Sequence, residues 1–114
     1  MRRTAAEAEQ TRRDVLAMAR TLFGQGGYEA TSTTDIAQAL GVTRGAMYHH
    51  FPDKPSLFRA VFIDLEDELN TTVGTAARTA FDQGASVADA FFAGCRALLE
   101  FALRSDYQQI AVVD

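Results

Sequence analysis

One cysteine, Cys95, stands alone in the 114 residues. An internal disulfide is therefore excluded, and a reducing, cytoplasmic setting is the expectation. Prolines number only two, no tract is of low complexity, and 47% of the residues are hydrophobic, which excludes a disordered chain. No apolar stretch approaches the ~20 residues that a membrane-crossing helix needs. The opening MRRTAAEAEQ is charged and has no apolar core, so it does not read as a secretory signal. Strand-like alternation persists nowhere and no internal repeat is visible. Also missing are a Ser/His/Asp or Cys/His constellation, a phosphate loop and a metal-spaced ligand set, so neither an enzyme nor a cofactor is expected.

Positive charge is scarce as well. A net charge of −4 argues, taken whole, against a nucleic-acid partner. The division along the chain reverses this. Residues 1–59 hold eight Lys/Arg against six Asp/Glu, a net of +2, while residues 60–114 hold three against nine, a net of −6. A mildly basic module faces phosphates and an acidic one faces elsewhere.

What is present is helical periodicity. The length suits one domain, or a small domain with part of another. A first helix is predicted from about Glu7 to Gln25, with Val15, Leu16, Ala19, Leu22 and Phe23 on one face. Gly24, Gly26 and Gly27 are expected to end it, and Tyr28 to fold back on the core. Ser32 opens a second helix, sharing a short-armed capping box with Asp35. Ile36, Ala37 and Leu40 form its inward stripe, Gly41 ends it and Val42 plugs the turn. Thr43 caps a third helix, which Phe51 and Pro52 close.

A fourth helix starts near Asp53 or Lys54, tolerates Pro55 in its first turn and is expected to reach Ala77. Leu57, Phe58, Val61, Phe62, Leu65 and Leu69 carry its apolar side, and Asp64, Glu66, Asp67 and Glu68 a solvated acidic face. Ser86 caps a fifth helix, Val87 to Arg104, whose Val87, Phe91, Phe92, Cys95, Leu98, Leu99, Phe101 and Leu103 make it apolar around much of its circumference. Such a helix is normally surrounded by others. Ser105 and Asp106 are expected to cap one more helix. The fold class is thus all-α: a three-helix unit over residues 1–52, then the linker helix and partial start of a helical domain over 53–114, truncated or completed by a partner.

The chemistry concentrates in TSTTDIAQALGVTRGAMYHHF, Thr31 to Phe51, two short helices broken by one sharp turn. At 100° per residue, Arg44, Gly45, Tyr48 and His49 of the third helix share one side. Ala46, Met47, His50 and Phe51 share the other, with Met47 and Phe51 as core anchors. Arg44 suits two parallel hydrogen bonds to a guanine edge or one to a phosphate. Gly45 lets the backbone approach a groove. Tyr48 offers its hydroxyl to phosphate and its ring to a thymine methyl, and His49 and His50 can donate to phosphate oxygens. Adjacent histidines point about 100° apart and do not converge on one metal ion. Lys54 adds a charge among amides that favour anions, and Thr33 and Thr34 are placed to donate to phosphates. Arg2, Arg3, Arg12 and Arg13 supply an arm that can track the backbone or enter the minor groove.

These residues closely resemble the TetR family of transcriptional regulators. The resemblance runs from about Val15 to Ala60. It rests on Phe23, the GGY turn, the Thr/Ser run before Ile36-Ala37, Leu40-Gly41-Val42, Tyr48, Phe51, Lys54 and Leu57. It implies a DNA-binding unit of three helices, with a fourth leading into a helical ligand-binding and dimerising domain. Carried over by position, Thr33, Thr34, Thr43, Arg44, Gly45, Ala46, Tyr48, His49, His50 and Lys54 match places that touch double-stranded operator DNA. It further implies a small-molecule inducer among the later helices, with Phe62, Leu65, Phe92, Cys95 and Leu99 as candidate contacts. Family members are homodimers held by their last two helices, which this stretch lacks, so weak or no self-association is expected of it. A repressor relieved by a small ligand is the function so implied. The alternative is a helical protein-interaction adaptor without DNA binding.

Overall fold

A computed structural model describes residues 4–114; Arg2 and Arg3 of the expected arm lie outside the described residues. Among the described residues six α-helices follow one another: α1 (Ala5–Gly26), α2 (Thr33–Leu40), α3 (Arg44–His50), α4 (Lys54–Asp82), α5 (Val87–Ala102) and α6 (Ser105–Tyr107). A π-helical turn, Gln108–Val113, continues α6.

α1 begins two residues earlier than the periodicity predicts because Thr4 and Glu7 form a full capping box. The Glu7 amide donates to Thr4 Oγ1 at 3.0 Å and the Thr4 amide donates to Glu7 Oε2 at 3.2 Å. Arg12 and Arg13 lie inside α1 and belong to no arm. Gly26 and Gly27 end α1 as expected, the cap being Gly27 at φ +86°, but Gly24 does not. At Gly24 the absent side chain serves close approach instead: a Cβ there would come within 2.8 Å of Asp106 Cβ.

Spacing by four residues lines up Val15, Ala19 and Phe23 on α1 and Leu57, Val61, Leu65 and Leu69 on α4, all buried. Ile36 and Ala37 of α2, Met47 of α3 and Phe51 join them, and Phe101 and Ile110 close the same cluster. Tyr28 folds back as expected, stacking on Phe23 and meeting Phe58 edge-on.

α4 runs past Ala77 to Asp82, since its first strong stop is Gly84 at φ +96°. Its distal half receives α5, where buried Gly94 sits so close that an added Cβ would meet Val73 and Ala77 at 3.5 Å. Ser86 caps α5 as predicted, but the helix stops at Ala102. Neither Ser105 nor Asp106 caps α6, because the cap position falls on Arg104, whose guanidinium pairs with the Asp106 carboxylate at 2.7 Å. The other side of α5 is apolar and open: Val87, Phe91, Phe92, Leu99 and Leu103 are each more than 60% exposed.

The acidic face of α4 is only partly solvated. Arg20 of α1 pairs with Glu68 and, at 3.2 Å, with Asp64. Glu68 also accepts from Arg104 at 3.0 Å. Burial pushes the Glu68 carboxyl up, but hydrogen bonds from the two arginines outweigh it and hold the group below its ordinary value. The network joins α1, α4 and the α5–α6 junction.

Candidate nucleic-acid interface

Each end of the α2–α3 unit is set by a local bond. Ser32 Oγ accepts from the Asp35 amide at 3.0 Å and Asp35 Oδ2 accepts from the Ser32 amide at 3.1 Å, the short capping box expected. Gly41 adopts φ +72°, the left-handed conformation that a side chain resists, and turns the chain. Val42 then donates to the Ala37 carbonyl at 3.1 Å. Thr43 Oγ1 accepts from the Ala46 amide at 3.0 Å and starts α3. Upstream, buried Thr31 donates to the Gly27 carbonyl at 2.9 Å and pins the turn into α2, a role no spacing revealed.

The inward side of α3 is the one that periodicity predicts. Met47 and Phe51 are 1% and 4% exposed and hold the helix to α1 and α2, whereas Arg44, Gly45 and His49 are exposed. Thr43 is exposed too; Ala46, Tyr48 and His50 are half-buried, as are Thr33 and Thr34 at the start of α2. Two contacts order the outward side. Thr33 Oγ1 and the Tyr48 hydroxyl lie 2.7 Å apart, and the Arg44 guanidinium stands over the Tyr48 ring at 5.9 Å. The Thr33 hydrogen bond first, and Arg44 second, lower the Tyr48 hydroxyl below the usual tyrosine range. His49 and His50 meet edge to face at 5.2 Å between ring centres. Among the described residues no three His, Cys, Asp or Glu side chains converge as metal ligands.

Lys54 opens α4, as expected. Its ammonium sits 4.1 Å from the centre of the Tyr28 ring, at the edge of the core, and is half-buried. The amides beside it are not all free for an anion, because Asp53 Oδ1 accepts from the Ser56 amide at 2.7 Å. The Ser56 side chain first, and that amide bond second, keep the Asp53 carboxyl below its ordinary value. Arg12 rests over the Phe51 ring at 5.1 Å and Arg13 pairs with Glu9 at 3.4 Å.

The five residues proposed for an inducer do not converge in the same way. Leu65 is fully enclosed in the core against α1, because it continues the four-residue stripe of Leu57 and Val61, and it presents nothing to a ligand. Phe62, Phe92 and Leu99 are exposed and Cys95 is half-buried. None of the five lines the groove of about 650 Å³ that lies between α1, α4 and the α5–α6 junction beside Arg20 and Asp106. No helix among the described residues is long and apolar enough to cross a membrane.

Residues 15–61 match the family model of bacterial regulatory proteins, tetR family. Over 61 residues the chain is 49% identical to the HTH-type transcriptional regulator AcrR of Shigella flexneri, a stretch taking in 54% of this chain and 28% of that one. It is 46% identical, again over 61 residues, to the HTH-type transcriptional repressor BepR of Brucella suis, covering 54% and 29%. The matched stretch therefore spans less than a third of these curated relatives. A crystal structure of a TetR-family transcriptional regulator from Pectobacterium atrosepticum superposes with a TM-score of 0.78 at 39% identity, covering 95% of this chain and 54% of that chain.

Proposed function

Since residues 15–61 match the family model of bacterial regulatory proteins, tetR family, we propose that this chain is a sequence-specific DNA-binding transcriptional regulator of that family, and more narrowly a repressor relieved by a small molecule. One observation carries the first part. The outward side of α3 presents Arg44, Gly45, Tyr48 and His49 while Met47 and Phe51 fasten its inward side. A helix so held can enter a major groove with its polar side toward base edges. Residues 1–52 form the DNA-binding unit in this proposal, and 53–114 lead into the sensing and dimerising part. A homodimer of the complete protein would place two such helices one helical turn apart, about 34–36 Å, or a multiple of it.

Affinity for duplex DNA is expected to fall steeply with added salt, since each neutralised phosphate releases counterions. Selection of bound duplex from a random pool, followed by titration at several salt concentrations, tests this. A flat salt response would point to the second reading, a protein-interaction adaptor without DNA binding, which the open apolar side of α5 favours. The same side, with Phe92, Cys95 and Leu99, and Phe62 of α4, is where we place the inducer. On the selected duplex Arg44→Ala is expected to cost roughly 1–3 kcal/mol of preference over random DNA. Equal losses on both would show that Arg44 meets phosphate alone.

A further inference from the structure

Thr33 belongs to α2, yet its hydroxyl is engaged 15 residues away on α3, at 2.7 Å from the Tyr48 hydroxyl. Both groups are half-buried, and Tyr48 lies one helical turn beyond Arg44, whose guanidinium stands over its ring. We propose that Thr33 is a positioning residue for sequence reading: it anchors the Tyr48 ring, and the anchored ring holds Arg44 at the angle from which it meets base edges.

The physical reason lies in the side chains involved. A long arginine on an open helix surface has many rotamers, and binding must order them. A guanidinium already seated on a fixed aromatic plane loses less freedom on binding. The tyrosine has only two torsions, so one bond to its hydroxyl fixes the plane. α2 thus contributes to the choice of bases without touching any. A phosphate contact by Thr33, by contrast, would strengthen binding to every sequence alike. The downward shift of the Tyr48 hydroxyl's pKa agrees with Thr33 as its main partner.

This inference rests on the DNA-binding reading, and the test has one arm that does not. In DNA-free protein with labelled tyrosines, the Tyr48 ring-carbon resonance, assigned with Tyr48→Phe, is followed with pH. Thr33→Val is expected to move its titration upward toward the ordinary tyrosine range, and Thr33→Ser to leave it in place. No movement in Thr33→Val overturns the pairing whatever the protein binds.

In the DNA arm, Thr33→Val is expected to lower the ratio of selected-duplex to random-duplex affinity by about three- to tenfold, the worth of one hydrogen bond. Its salt slope should match the unsubstituted chain, and Thr33→Ser should restore the ratio. Adding Thr33→Val to Tyr48→Phe should cost nothing further. Equal weakening on both duplexes would make Thr33 a phosphate contact and overturn the inference. Additive losses in the double variant would overturn it too. Absence of salt-dependent binding by the unsubstituted chain would instead overturn the DNA-binding reading, with the titration still judging the pairing.

Discussion

Phe23→Ala is expected to destabilise the fold by about 3–5 kcal/mol, the range for emptying a large aromatic from a core. Domains of this size are commonly stable by only about 5–15 kcal/mol, so a large share of the total would go. Phe23 is wholly buried and stands where three elements meet. Its ring packs against Tyr28 at 5.7 Å and edge-on against Phe58 at 5.3 Å. Losing it would leave a cavity between α1 and α4 and undercut the turn that carries α2. Urea unfolding followed by circular dichroism measures the effect. Phe91→Ala is the natural control, being 65% exposed on α5. Comparable losses in the two variants would place the core elsewhere.

Gly45→Glu should have an equally large effect on a different property. No atom lies within 4 Å of where a Cβ at Gly45 would stand, and the position is exposed in the first turn of α3. A carboxylate near a helix N-terminus is tolerated or mildly stabilising, so the fold should remain intact. Against DNA the same side chain would bring bulk and a charge of the wrong sign toward phosphates. Such juxtaposition costs several kcal/mol, on the order of a thousandfold in affinity. Gel-shift titration beside a melting curve separates the two quantities. A folded variant that still binds tightly would remove Gly45 from the proposed interface.

Much of the helical framework was legible because its signals are local. Ser32 with Asp35, Thr43 with the Ala46 amide and Ser86 with the Asp89 amide each act over three residues, and periodicity exposed the stripe from Leu57 to Leu69. Local reading went wrong where one residue type has two uses. Gly24 looked like a helix stop and instead gives room to Asp106, and Asp64 and Glu68 looked solvated but meet arginines from other elements.

The sequence by itself determined an all-helical chain, its caps and turns, and which side of α3 faces outward, since each depends on residues within a turn or two. Only the tertiary structure decided that Thr33 meets Tyr48 and that Arg20 reaches Glu68 from 48 residues away. It alone brought the Asp114 carboxylate to the Tyr28 amide, 86 residues distant. Helix periodicity tells which side of a helix turns inward but carries no information about which distant side chain will lie opposite. That choice follows from how the helices cross once α1 and α4 have packed on one core.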